Sequence, residues 1–381
     1  MRAVIAYILA LTTVMIVVSA MVAFAADQPA AITVQPHGYM QNRFYSAPAA
    51  GGEFRNERIS FSLQANGFPN DSNAYVEVYY HPYASSSGLY LESAYYDTPF
   101  GGGRLRVGKG RRLTFGITPS YGNRRTSNYG LISEAFTQDR IQGVQWVRKS
   151  AQFDYAFALH TAYRLGTRNI GEIPGDDARN VAHQVPHLCL RDVPGALSHK
   201  LAFSGRVGHT MPGGAKVGLS YSTWALDDRD IADLKGTTTG LLPKNPLTGA
   251  TTAEPLLASV TDKKAENWGF DMSWKKKSFI AQAEYYLGSI SDLDYNAWSV
   301  LLGWEPPKGL KFYARYGAQD SGLAATTNPL TWDTQQISLS VVQPIAKSVW
   351  MQYEFEINSE DTYNGKDVRN NLFFAELFTG F

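Results

Sequence analysis

Between Gly102 and Lys149 the chain places Arg104, Arg106, Lys109, Arg111, Arg112, Arg124, Arg125, Arg140, Arg148 and Lys149 against only Glu134 and Asp139. Guanidinium is a planar fork of donors that matches carboxylate and phosphate in bidentate fashion. Set around a narrow aqueous passage, such groups favour anions. A competing reading is equally chemical. The same cations could pair with carboxylates such as Glu77, Glu92, Glu284, Glu354 and Glu356, stabilising the structure and leaving little net field.

Other reactive residue types form weaker patterns. His183, His187, Cys189 and His199 fall within one segment, but H-x3-H is helical spacing and Pro186 and Pro194 interrupt any helix there. Asp176–Asp177 and Asp227–Asp228 with Asp230 lack the twelve-residue loop and glycine of a calcium site. They read as solvated loop charges, and no metal or cofactor is expected. A hydrolase needs a nucleophile, a base and an orienting group, and no G-x-S-x-G is present, so the chain does not read as an enzyme. With a single cysteine, Cys189, there is no internal disulfide and no C-x-x-C-H for covalent haem. A formal charge of +1 excludes a dedicated nucleic-acid binder.

The elements that must position these cations alternate with period two, as strands do. Ile59, Phe61, Leu63 and Ala65 oppose Ser60, Ser62 and Gln64; Phe153, Tyr155, Phe157 and Leu159 oppose Asp154, Ala156, Ala158 and His160. Val349, Met351, Tyr353, Phe355 and Ile357 oppose Trp350, Gln352, Glu354 and Glu356. On a strand from near Gly103, Leu105 and Val107 take one face and Arg104 and Arg106 the other. Continued, that strand would put Leu113, Phe115 and Ile117 outside and Arg112 and Thr114 inside; a hairpin around Gly108–Gly110 is the alternative. Two stacked sheets would alternate as well.

Connection lengths separate a closed barrel from a sandwich. Short connections at Gly67–Asn73, Asp97–Gly102, Lys149–Ser150, Met211–Gly213, Lys276–Lys277, Glu305–Gly309 and Pro344–Ala346 alternate with Tyr45–Arg55, Tyr83–Gly88, Pro119–Phe136, Leu165–Ser198, Leu226–Asp262, Ser289–Leu293, Gln319–Trp332 and Asn358–Asp367. Seven turns at one rim and eight loops at the other predict an all-β fold: a transmembrane antiparallel β-barrel of about 16 strands, with short periplasmic turns and long extracellular loops. About that many strands enclose an aqueous lumen. Aromatics at 13%, with 22 Tyr and 34 Gly, suit a lipid-facing exterior with aromatic girdles.

The segment before the strands has a basic Arg2, an apolar run from Val4 to Phe24 and small residues at Ala23 and Ala25, the pattern of a signal peptide cut after Ala25 or Ala26. The domains expected are thus a leader at 1–25 and a single barrel at 26–381. At the other end, KDVRNNLFFAELFTGF puts Phe373, Leu377 and Phe381 on the lipid face and Glu376 on the lumenal one. It resembles the closing strand of bacterial outer-membrane barrels. The resemblance implies that this strand seals against the one near His37–Phe44 and is read by the assembly machinery.

YYDTPFGGGRLRVGKGRRLTFGITPSYGN, then QDRIQGVQW, is similar to the strand–loop–strand region of the phosphate-selective porin O/P type family, and NNLFFAELFTGF to that family's last strand. Here TPFG (Thr98–Gly101) precedes the Arg-rich strand instead of following it, and no lysine-rich phosphate site is seen. The resemblance implies an outer-membrane channel for small ions and solutes. It also implies a third loop that would carry Arg124 and Arg125 into the pore if it folds inward. In related families such porins are often homotrimers. A second expectation is a porin-like sheath around multihaem cytochrome partners, which would need no haem motif of its own.

Overall fold

The computed structural model describes residues 32–47, 51–80, 89–117, 125–126, 140–170, 185–191, 200–235, 260, 262–322, 330–362 and 371–381. The expected leader at 1–25, Arg124, Asp176–Asp177, His183 and His199 lie outside the described residues. Along the chain run β1 (Thr33–Ala47), β2 (Gly51–Phe68), β3 (Ser72–Tyr80), β4 (Leu89–Phe100), β5 (Gly103–Arg111), β6 (Arg140–Lys149) and β7 (Phe153–Thr161). Then come β8 (Arg164–Ile170), β9 (Val185–Arg191), β10 (Leu201–Thr210), β11 (Lys216–Ala225), the short helix α1 (Asp228–Leu234) and β12 (Lys264–Lys276). The remainder is β13 (Phe279–Ile290), β14 (Leu293–Trp304), β15 (Lys311–Ser321), β16 (Leu330–Ala346), β17 (Val349–Thr362) and β18 (Leu372–Gly380).

Sixteen of these strands form one closed antiparallel barrel, in which each pairs with its neighbours and β1 bonds to both β2 and β18. Closure leaves no sheet edge, so the wall's backbone groups are satisfied within the wall, as a lipid environment requires. The seam is the expected one: Tyr39 through Ser46 of β1 face Gly380 through Phe373 of β18. Gly38 and Phe381 extend it with two reciprocal backbone bonds of 3.0 Å.

The seven short connections lie at one rim, the one predicted at Pro344–Ala346 falling instead at Lys347–Ser348 because β16 runs on to Ala346; several hold a residue at positive φ, as at Lys277 and Ser348. The opposite rim differs in detail from the sequence expectation. The β13–β14 connection is only a two-residue turn there. The segment Leu165–Ser198, taken as loop, contains β8 and β9, which pair with each other outside the barrel sheet. Its composition hid strands only seven residues long. Cys189 and His187 sit on β9. In the Leu226–Asp262 loop, Asp227 and Asp230 cap α1, Asp227 Oδ1 accepting from the Asp230 N–H at 2.9 Å and Asp230 Oδ2 from the Asp227 N–H at 3.3 Å. Reciprocal capping of this kind explains acidic residues at that spacing without a cation.

The two faces sort as the alternation requires. On β18, Leu372, Phe374, Glu376 and Phe378 are buried on the inner side. The outer side of the barrel leaves large apolar residues uncovered, among them Phe157, Leu159, Leu219, Trp268, Leu287, Leu302 and Leu339. A continuous apolar exterior of this kind would drive a water-soluble monomer to aggregate; facing lipid, it is the outer belt of a membrane barrel. At the short-turn rim Phe100, Phe153, Phe279, Trp304, Phe312 and Phe381 are exposed, with Trp304 and Phe312 stacked at 5.9 Å, as an interfacial aromatic girdle.

Candidate functional site: the lumenal wall and the inward loop

β5 runs through Gly108–Gly110 as a single strand and stops at Arg111, so neither the hairpin nor the longer strand forms. The next residues turn inward instead of continuing up the wall. Leu113 N–H donates to Gln145 Oε1 at 3.0 Å, whose amide returns a bond to the Arg111 carbonyl. Thr114 Oγ1 lies 2.5 Å from Ser204 Oγ of β10, Gly116 N–H donates to Ser220 Oγ of β11 at 3.2 Å, and Ile117 N–H to Glu284 Oε1 of β13 at 2.9 Å. Phe115, expected at lipid, is fully buried and stacks on Tyr286 at 5.1 Å.

The same loop is next described at Arg125 and Thr126, and there it touches a different part of the wall. Arg125 Nε donates to Glu305 Oε1 at 3.1 Å, Gln352 of β17 donates to the Arg125 carbonyl at 3.3 Å, and Arg315 of β15 donates to Thr126 Oγ1. Glu305 belongs to the short β14–β15 turn. Residues 112–117 therefore lie inside the barrel against β10–β13, and Arg125 and Thr126 inside it nearer the short-turn rim. Irregular backbone is tolerated at this depth only within a protein-lined interior, and the wall's serines, Gln145, Glu284 and Gln352 supply the partners its exposed peptide groups need. Partial burial opposes the charge of Glu305, but the hydrogen bond from Lys275 and the nearby Arg125 outweigh it and hold the carboxyl below its ordinary value.

The predicted cations end in different settings. Arg104 and Arg106 both grip Asp97 of β4, Arg106 at 3.2 Å and Arg104 through its Nε, and the Arg106 guanidinium lies 3.9 Å from the centre of the Tyr95 ring. Lys109 alternates to the other face of β5, where its Nζ donates to the Leu91 carbonyl at 2.9 Å. Arg111, at the inward turn, lines a cavity with Arg106. Arg112 is not a pore-lining cation. It is fully buried, 4.4 Å over the Phe115 ring and 5.0 Å over Tyr163, because the chain leaves the strand geometry one residue before it. Arg140 pairs with Glu92.

Acid–base pairing in the lumen is thus extensive, and it also involves arginines outside the basic stretch. Arg206 of β10 makes a bidentate pair with Asp271 of β12 at 2.6 and 3.1 Å. Arg43 of β1 bonds Glu376 across the seam and donates to Tyr45 Oη at 2.9 Å. Arg315 stands 3.9 Å from both Glu354 and Glu356 and donates to Ser338 and Gln336. Strand parity puts Arg43, Arg206 and Arg315 on inner faces, but each stands outside any run of charge that would mark it.

A Ser–His contact does occur: His160 Nε2 lies 3.2 Å from Ser204 Oγ, with Nδ1 on the Thr161 carbonyl. Both side chains are buried, and Ser204 is shared with Thr114, so the contact anchors the loop and offers no reachable nucleophile. Among the described residues no three His, Cys, Asp or Glu side chains are grouped to hold a metal ion.

Among the described residues, cavities lie between the wall and residues 112–117 and 125–126. One of 380 Å³ is lined by Tyr39, Tyr75, Tyr95, Arg106 and Arg111, and one of 240 Å³ by Ile117, Arg206 and Asp271. A third, of 610 Å³, opens near the short-turn rim beside Arg125, Lys275, Glu305, Lys311, Tyr313 and Trp350.

No protein-family model matches the chain, and no curated protein matches it. Solved structures do. The outer membrane channel DcaP of Acinetobacter baumannii is 11% identical over 92% of this chain and 97% of its own, with a TM-score of 0.61. The anion-selective porin from Comamonas acidovorans is 10% identical over 92% of this chain and 100% of its own, at 0.57. OmpT of Vibrio cholerae, solved in a trimer form, is 16% identical over 92% and 100%, at 0.55. The chain has the sixteen-stranded barrel fold of outer-membrane porins.

Proposed function

We propose that the protein is an outer-membrane porin: a water-filled diffusion channel for small hydrophilic solutes and ions that prefers anions, with no catalytic role. The observation that carries this reading is that residues 112–117 and 125–126, after β5, bond to the inner wall of a closed, lipid-faced barrel, with Arg125 among them. A constriction loop with cations beside cavities sets selectivity by charge at close range. Arg106, Arg111, Arg125, Lys275 and Lys311 border the 380 and 610 Å³ cavities, against Glu77 and Glu305. Residues 1–25 are proposed as a leader removed on export, and a homotrimer, the form in which the V. cholerae porin-fold neighbour is known, as the assembled state.

Within the porins, likeness to the phosphate-selective O/P type rests on Thr98–Gly101 and the strand–loop–strand after it. The sheath reading draws no support from the interior. A barrel that enclosed a cytochrome would keep its lumen clear, whereas here loop residues 112–117 and 125–126 bond to the inner wall.

The test is reversal potential in planar bilayers under a salt gradient. We expect a step-like, anion-favouring current that moves toward cations when Arg106 and Arg111 are both changed to Gln. Arg112→Gln should leave the sign of selectivity alone, because that cation is out of the water path. A cation-selective wild-type current would sink the proposal.

A further inference from the structure

We propose that the short-turn half of the lumen is a binding track for small organic anions with a flat apolar body, such as aryl carboxylates. This rests on the anion-channel reading above and names the solute class.

The wall there is unusual for an aqueous pore because its inner face is apolar. Ile280, Leu301, Tyr313 and Val342 form a buried inward cluster against which Trp350 packs. From Trp350 the rings continue around the wall. Trp350 stacks on Phe378 at 3.8 Å with planes 12° apart, and Phe378 stacks on Tyr39 at 5.1 Å. Tyr39 opens into the 380 Å³ cavity beside Tyr75 and Tyr95, which lie 5.3 Å apart. Stacked rings therefore connect the 610 Å³ cavity, through the buried Phe378 of the seam strand, to the 380 Å³ one.

Each end carries surplus positive charge. In the 610 Å³ cavity three cations, Arg125, Lys275 and Lys311, surround one carboxylate, Glu305. Arg125 and Lys275 share that carboxylate, at 3.1 and 2.6 Å, while Lys311 has no ion-pair partner among the described residues. In the second cavity Arg106, which also bonds Asp97, lies over the Tyr95 ring, and Arg111 lines the wall with it and with Glu77. Inorganic anions need only the charge. A ring on the anion can in addition stack against the partly exposed Trp350, which lines the cavity with Lys311. An apolar, ring-lined wall with an unspent ammonium at its mouth matches an anion whose charge sits at one end of a planar body.

The probe pair is sodium benzoate and sodium acetate, equal in charge and different in apolar area. With the full-length barrel in planar bilayers under chloride, benzoate added on the side of the short turns should interrupt the current at concentrations at which acetate does not. Lys311→Gln should weaken that block by about fivefold, the scale of one exposed charge contact. Trp350→Leu should weaken it further. If that variant fails to assemble, the Lys311→Gln result alone decides. Equal behaviour of benzoate and acetate in an anion-selective channel would overturn the track while leaving the channel reading intact. A wild-type barrel that conducts no anions would overturn both.

Discussion

Glu376 shows how much a single inward residue carries. It is fully buried and accepts from Gln41 at 3.2 Å and from Arg43, whose guanidinium also lies against the Phe374 ring at 5.4 Å. Removing one partner of a buried pair leaves an uncompensated charge and typically costs about 3–5 kcal/mol. Glu376→Ala should therefore lower the urea midpoint of the folded barrel well beyond Glu376→Gln, which keeps an acceptor for Arg43. Matching midpoints for the two variants would contradict this. Glu305 acts on the loop instead. Its carboxyl is depressed below its ordinary 4.5 in the folded protein, so the ion pairs to Arg125 and Lys275 are fully present above that value and are lost as pH falls through the lowered one. Acidifying the short-turn side should bring on rapid open-channel noise as the loop loosens. Glu305→Gln should show the same noise at neutral pH, and a quiet channel in either condition would refute the tether.

At the scale of elements, two contacts hold the architecture in register. The β1–β18 seam ends on the reciprocal bonds between Gly38 and Phe381, with the Phe381 ring lying over Gly38. A Cβ at position 38 would sit 2.5 Å from that ring and 2.7 Å from the Ser60 carbonyl, so Gly38→Ala must displace the ring or the backbone. Both Gly38→Ala and deletion of Phe381 should reduce the yield of heat-modifiable, assembled barrel in membranes without altering the selectivity of the fraction that assembles. Normal assembly of the deletion would rule out the seam's role. The second element is the inward loop, held at its start by Thr114, Phe115 and Ile117 and further along by Arg125 and Thr126.

Considered whole, the molecule sets an apolar outside against an inside where most charges are matched: Arg43 with Glu376, Arg206 with Asp271, Arg140 with Glu92, Arg104 and Arg106 with Asp97. A lumen so neutralised keeps only a modest field, and that field resides where lining cations outnumber lining carboxylates, around the 380 and 610 Å³ cavities. Selectivity should accordingly be weak and strongly salt-dependent, the reversal potential shrinking as ionic strength shortens the screening length to about 3 Å near 1 M. A reversal potential indifferent to salt would point to a more tightly built filter.

Much of this was legible before any fold was known. Period-two alternation assigns each residue to lipid or lumen one strand at a time, so Phe373, Leu377, Glu376, Glu354 and Asp271 could be placed correctly by counting. Alternating short and long connections gave the closed even-numbered barrel for the same reason, because antiparallel neighbours must return at opposite rims. What counting could not reach is where a strand stops. Arg111 and Arg112 are adjacent and alike, yet one borders a cavity and the other is sealed between Phe115 and Tyr163. That difference depends on hydrogen bonds from Thr114, Gly116 and Ile117 to Ser204, Ser220 and Glu284, residues 90 to 167 positions away along the chain. Local periodicity fixes the faces of a wall; only the closed wall decides which loop folds inside it and which charges find partners.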